Sequence, residues 1–253
     1  MKKNVLFSAL CSISALVALA LVWIIAYYAF GNDYLLPSLW DTVAAAAKLL
    51  AEAVFWRAFG FTLLRTLLAF LCSFVLGVAL AVLASLNRAV RAFLAPMISV
   101  LRTVPTMAVI LILVLWTNRT VAPALVAILV LLPAVYAAAL ASIDEVRQEY
   151  GELAKAFQVD KRRRIFKMYL PLAAPNVLAQ SGAILSMGLK ITVSGEVLAQ
   201  TLRSLGYLMQ EAQMYLEMPR LLALTVLCVL VGFLLEGGGL LAQKYLVRWR
   251  NEA

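Results

Sequence analysis

Apolar residues run through this chain in six long blocks, at about 5–30, 59–86, 93–116, 121–141, 172–198 and 221–241. About 20 consecutive apolar residues carry a helix across the hydrocarbon of a bilayer. Spanning segments must satisfy their own backbone polar groups, as helices or as a closed barrel. These blocks are too long for barrel strands and lack their alternation. The pattern therefore predicts an all-α membrane protein with six transmembrane helices, a single transmembrane domain over 1–253.

Short polar stretches separate the blocks, and their basic residues fall on alternate sides. If the N-terminus is cytoplasmic, the inside segments carry fourteen: Lys2, Lys3, Arg88, Arg91, Arg147, Lys155, Lys161, Arg162, Arg163, Arg164, Lys167, Lys244, Arg248 and Arg250. The outside segments hold five, Lys48, Arg57, Arg119, Arg203 and Arg220. This bias places both termini in the cytoplasm of an inner-membrane protein. Ala18-Leu19-Ala20 has the form of a signal-peptidase site, but the apolar run continues to Phe30, so the first block reads as a retained span. In the outside segment from Gly31 to Arg57, Asp41 is placed to cap an interfacial helix over Thr42–Val54, with Trp40 and Trp56 at its ends.

Composition agrees: 64% of the 253 residues are hydrophobic and 14% charged, against about 25% charged in soluble domains. The net charge of +9 is spread over loops rather than gathered on one polar face, which argues against nucleic-acid binding. The absence of His removes the commonest general base and metal ligand. Cys11, Cys72 and Cys228 all lie in apolar runs and read as small buried hydrophobes.

The loop from Asp144 to Pro171, between the fourth and fifth spans, is longer than the usual bundle connection. Tyr150, Leu153, Ala154 and Phe157 follow helical spacing, and a second amphipathic piece starts after Asp160, with Ile165, Met168 and Tyr169 opposite Lys161–Arg164 and Lys167. Two short helices are predicted here. Their apolar stripe suits an anionic lipid surface or a groove on a cytoplasmic protein.

Glu152-Leu153-Ala154 followed by Met168-Tyr169-Leu170-Pro171 resembles the EAA loop of ABC importer permeases, in which Glu-Ala-Ala is followed by Gly and then by an aliphatic residue, any residue, Leu and Pro. The register fits, but Gln158 stands where the family has Gly. Leu36-Pro37-Ser38, Thr62-Leu63-Leu64-Arg65-Thr66, Arg102-Thr103-Val104-Pro105, and Glu196 followed by Leu205-Gly206 are similar to the nitrate/sulfonate/taurine branch. The resemblance implies a permease subunit whose two short coupling helices dock an ATPase through Tyr150, Glu152, Leu153, Ala154, Phe157, Gln158, Met168, Leu170 and Pro171. It implies a homodimer with two ABC ATPase subunits and an extracytoplasmic solute-binding protein. No cofactor is expected in this chain, which lacks a G-x-x-x-x-G-K-[ST] phosphate loop. ATP would be bound by the partner.

Arg65, Arg102, Lys190, Glu196 and Glu236 interrupt the apolar blocks. Each costs about 2.5–3.5 kcal/mol at a helix centre on insertion scales, so each should face the bundle, a wet cavity or a partner. Arg65, Arg102, Lys190, Ser194 and Glu196 are therefore candidates for the translocation path, with structural ion pairing the competing role. Lys190 and Glu196, six apart, do not share a helix face. Ser186, Lys190 and Ser194 form a polar stripe, and Gly182 with Ser186 a small-xxx-small pair suited to close helix packing. Three basic against two acidic residues incline the solute towards an anion, while the family branch also includes carriers of heterocyclic precursors. A stand-alone transporter or channel would leave the long loop unexplained. An intramembrane hydrolase would have to rest on Lys190 with Ser186 or Ser194, with nothing to form an oxyanion hole.

Overall fold

The computed structural model describes residues 2–32 and 35–246, and these contain helices and connections but no strand. Arg248 and Arg250, counted above among the cytoplasmic charges, lie outside the described residues.

Among the described residues ten helices follow one another: α1 (Lys2–Phe30), α2 (Leu39–Ala51), α3 (Ala53–Leu86), α4 (Arg88–Thr103), α5 (Thr106–Trp116), α6 (Ala122–Ala156), α7 (Lys161–Arg164), α8 (Leu170–Ala199), α9 (Leu205–Met214) and α10 (Met218–Leu246). A π turn, Ile165–Tyr169, joins α7 to α8. By length and composition α3, α6, the run from α7 through α8, and α10 can each cross a bilayer. The bent pair α4–α5 makes a fifth crossing if it counts as one, and α1 contains the apolar stretch Val17–Phe30.

Four elements differ from the sequence expectation. The block at 93–116 is not one straight helix, because α4 and α5 meet at 92°. The break is Thr103-Val104-Pro105: Pro105 cannot donate to the preceding turn and pushes Val104 into extended backbone (φ −64°, ψ 128°). The first expected coupling helix is not separate either. α6 runs unbroken from the span at 121–141 to Ala156, about 52 Å at 1.5 Å per residue, well beyond a hydrocarbon core of about 30 Å. The second is confined to the single turn of α7, capped by Asp160, whose Oδ2 accepts from Arg162 N at 3.1 Å, and it passes through the π turn directly into α8. The interfacial helix starts at Leu39, because the cap is Ser38 rather than Asp41: Ser38 Oγ accepts from Asp41 N at 3.0 Å and donates to Asp41 Oδ2 at 2.6 Å.

Two apolar cores stack along the bundle. One gathers the end of α3 (Ala81, Val82), Leu94 and Ile98 of α4, Tyr136, Ile143 and Val146 of α6, Ile165 and Tyr169 of the π turn, and the start of α8. The other joins Leu49 of α2, Phe55 and Ala58 of α3, Leu189 and Val193 of α8, Leu205 and Leu208 of α9, and Ala223 and Leu224 of α10. Between them the helices approach through small residues. A Cβ on Gly77 would stand 2.9 Å from Val135 Cβ, and one on Gly188 would stand 2.9 Å from Leu131 Cδ1. Gly182 packs within this chain against α10, where its Cβ would meet Glu236 O at 2.6 Å, so the small-residue pair serves α8–α10 packing. The triplet Gly237–Gly239 lies inside unbroken α10.

Candidate functional site

The connection between α6 and α7 is four residues long, Phe157 to Asp160. Its geometry answers the question raised by Gln158. Gln158 has φ 49°, the left-handed conformation that glycine adopts without penalty. Val159 N donates back to Ala154 O at 3.2 Å, the six-to-one bond of a Schellman helix end. The sharp turn of the family motif is thus present without its glycine, at a cost of about 1–2 kcal/mol for a residue with a Cβ.

The loop's apolar residues divide into two sets. Ala154, Ile165 and Tyr169 are buried, and Tyr150, Met168 and Leu170 pack half-buried against the same core. Leu153 (53% exposed), Phe157 (75%) and Phe166 (52%) point away from the bundle, with Glu152, Gln158 and Pro171 also exposed. Three large apolar side chains, with charged Glu152 and Arg162, are therefore exposed on a segment whose inner face is anchored. Phe166 was not among the residues singled out from sequence, because the Lys and Arg around it mask its place on the exposed face.

The intramembrane charges separate equally clearly. Glu196 is fully buried and its carboxylate is saturated: Arg65 Nη1 donates at 2.8 Å, Thr62 Oγ1 at 2.8 and 3.1 Å to the two oxygens, and Gly206 N at 3.3 Å. Thr62 Oγ1 also accepts from Leu205 N at 3.0 Å. Ser204 caps α9, its Oγ accepting from Tyr207 N at 3.0 Å. The cluster pins the start of α9 to α3 and α8, where Gly206 leaves no room for a side chain: its Cβ would meet Val197 N at 2.6 Å. Sequence spacing excluded Lys190 as the partner of Glu196 and did not identify Arg65. α9 itself went unpredicted, although Ser204 before Leu205 is a cap signal.

Arg102 donates to Pro133 O at 3.3 Å. It lines two adjoining cavities, one at the α4–α5 break with Val104, Thr106, Pro133 and Met187, the other between α4 and α6 with Arg91, Tyr136 and Asp144. Lys190 and Ser194 are exposed on α8, whereas Ser186 is buried, so the expected polar stripe is split between two faces. Gln180, Ala183, Met187, Lys190 and Ser194 follow one another at spacings of three and four and form one exposed strip of α8. Among the described residues neither Lys190 nor Arg102 forms an ion pair.

Residues 73–250 match the family described as binding-protein-dependent transport system inner membrane component. The chain is 27% identical over 202 residues to the taurine transport system permease protein TauC of Escherichia coli (strain K12), covering 79% of this chain and 73% of that protein. It is 29% identical over 192 residues to the putative aliphatic sulfonates transport permease protein SsuC of Bacillus subtilis (strain 168), covering 74% and 68%. Its fold resembles a chain of the inward-facing MetNI methionine ABC transporter, with a TM-score of 0.67 at 16% identity over 76% of this chain and 95% of that one.

Proposed function

The chain belongs to the family of binding-protein-dependent transport system inner membrane components and is a permease subunit of an ATP-binding-cassette importer, and we propose that its separate ATPase docks on the end of α6 and the α7–π segment. The observation that carries this reading is the exposed group Leu153, Phe157 and Phe166 on an element whose other face is buried. Exposed aromatic side chains on a rigid support are what a hot spot for a groove requires. Glu152 beside them supplies a charge, Tyr150, Ala154, Met168 and Leu170 hold the surface in place, and Pro171 is exposed where α8 begins.

Six spans with both termini inside follow from the basic-residue bias, with α1 as the first and the bent α4–α5 pair as the third. A homodimer would present two docking ends to two ATPases, as two-fold symmetry makes natural, and an extracytoplasmic binding protein would deliver the solute. ATP is then bound by the ATPase and none by this chain.

The α8 strip with Met187, Lys190 and Ser194, together with Arg102, is the part of the chain best suited to line the path. An ammonium at mid-span facing lipid would be costly, so it faces water or a second copy. Arg65 and Glu196 neutralise each other and serve as structure beside that path. With that pair cancelled, Arg102 and Lys190 favour a small solute carrying an anionic group, a class that fits relatives named for taurine, aliphatic sulfonates and bicarbonate. The hydrolase and stand-alone transporter readings are set aside, since the relatives are permease subunits of importers.

The test is co-purification of the ATPase and ATP-dependent uptake of a sulfonate into vesicles. Glu152→Ala and Phe157→Ala should lose both while the permease remains folded. Retention of the ATPase by the Phe157→Ala variant would overturn the docking assignment.

A further inference from the structure

Near the docking end, α6 carries a second charged cluster outside both the docking surface and the α8 strip. Asp144 receives the Arg91 guanidinium in a two-pronged pair, Nη2 to Oδ2 at 2.8 Å and Nη1 to Oδ1 at 3.2 Å. Arg147, one turn further along α6, stands 3.7 Å from Asp144 Oδ1 and donates to Ser85 O at 3.4 Å, at the end of α3. Asp144 therefore ties α4 to α6 directly and is linked through Arg147 to α3. The fork geometry fixes direction as well as distance, which a single-point ammonium contact would not do.

Three further observations give this pair a mechanical meaning. α6 is continuous from Asp144 to Ala156, so a displacement of the docking end reaches Asp144 without crossing a joint. Leu94 and Ile98 of α4 belong to the same core as Ile143 and Val146 of α6 and Ile165 and Tyr169 of the π turn, so α4 is packed on the helix that carries the docking end as well as paired to it. Arg91 sits near the start of α4 and Arg102 near its end, about 16 Å apart at 1.5 Å per residue, and α4 ends at the extended Val104-Pro105 joint. α4, gripped by α6 near its start and joined to α5 only through extended backbone, is a lever that can follow α6 without carrying α5. Arg102 lies on the α4 side of that joint and lines both cavities.

We propose that Asp144 is a positioning residue: through Arg91 it makes α4 follow the docking end of α6, so that ATPase movement displaces Arg102 between the two cavities. This rests on the docking reading above. The residues that do the coupling are Asp144 and Arg91, with Val104 and Pro105 as the joint.

The experiment places an environment-sensitive dye on Val100→Cys, an exposed position of α4 outside the joint, in the full chain lacking Cys11, Cys72 and Cys228, reconstituted in vesicles with its ATPase. Emission is compared without nucleotide and with ATP and vanadate. In the otherwise unchanged chain the nucleotide should shift the emission. Asp144→Ala and Arg91→Ala should each reduce the shift at least about fivefold, the low end of ordinary coupling strengths, with the ATPase still bound. Arg91→Lys should fall between, and the exchange Arg91→Asp with Asp144→Arg should restore the shift, which loss of packing alone would not allow. An undiminished shift in the single variants, or no restoration by the exchange, overturns the proposal. If the ATPase does not bind even the unchanged chain, the docking reading fails instead. The lever is then tested on the isolated permease, where equal dye mobility in Asp144→Ala and the unchanged chain would refute it.

Discussion

Truncating Glu196 to Ala removes a fully buried carboxylate that accepts from Arg65, Thr62 and Gly206 N. What remains is a guanidinium only 12% exposed without its counter-charge, and a backbone N–H without its acceptor. Breaking a buried pair by removing one partner costs about 3–5 kcal/mol, because the other charge stays desolvated. For a chain of this size that corresponds to a fall in Tm on the order of 6–20 °C, at about 2–4 °C per kcal/mol. Arg65→Ala should cost a similar amount by stranding the carboxylate. The double variant Glu196→Ala with Arg65→Ala should cost much less than the sum, because no charge is then left unpaired. The measurement is thermal unfolding of the purified chain in detergent, followed by size-exclusion chromatography after heating. Strict additivity of the two truncations, or a Glu196→Ala Tm within a degree of the parent, would show that the cluster is not the electrostatic unit the geometry describes.

Gln158→Gly should raise stability by about 0.5–1 kcal/mol with ATPase binding unchanged, because it relieves the left-handed residue while keeping the turn; Gln158→Val at the same position should lower it, and both are read by the same thermal assay. Gly77→Ala should destabilise more than Gly188→Ala, since the first places a methyl group 3.0 Å from backbone Tyr136 N while the second meets the movable end of Leu131; about 1–3 kcal/mol is expected for the former as overpacking. Lys190→Met should leave thermal stability within about 0.5 kcal/mol, as expected for an exposed site without structural partners, while reducing ATP-driven sulfonate uptake in vesicles. Equal loss of stability and uptake would make Lys190 structural.

The spans were legible because hydropathy is a local property, and α3, α6, α8 and α10 follow from it. Their limits were less so. The charged residues from Asp144 onward mark where α6 leaves the bilayer, but the amphipathic spacing of Tyr150, Leu153, Ala154 and Phe157 continues the same helix. A membrane boundary is not a helix end when the chain beyond it has its own apolar core to pack on. The bend at Pro105 was likewise visible as a residue type, yet apolar counting treats a broken and a straight helix alike. Thr62, Arg65 and Thr66 lie on one face by spacing. That they receive Glu196, 131 positions from Arg65, is decided by how α3 and α8 cross, which no local pattern records.

α3 and α8 contribute to both cores, whereas α4, the π turn and Tyr136, Ala139, Ile143 and Val146 of α6 belong to the docking-end core, and α2, α9 and α10 to the other. Between the cores α3, α6 and α8 approach closely at Gly77, against Val135 and the backbone of Tyr136, and at Gly188, against Leu131, with no space left for a further side chain at either glycine. Force applied at Phe157 is therefore carried through a stiff waist rather than absorbed in it. On the far side the Glu196 cluster leaves α9 no freedom to slip against α8. The joint at Val104-Pro105 is then the compliant place in this frame, and the residue it releases, Arg102, is a cation beside both cavities. Rigidity elsewhere is what makes movement at that one bend useful.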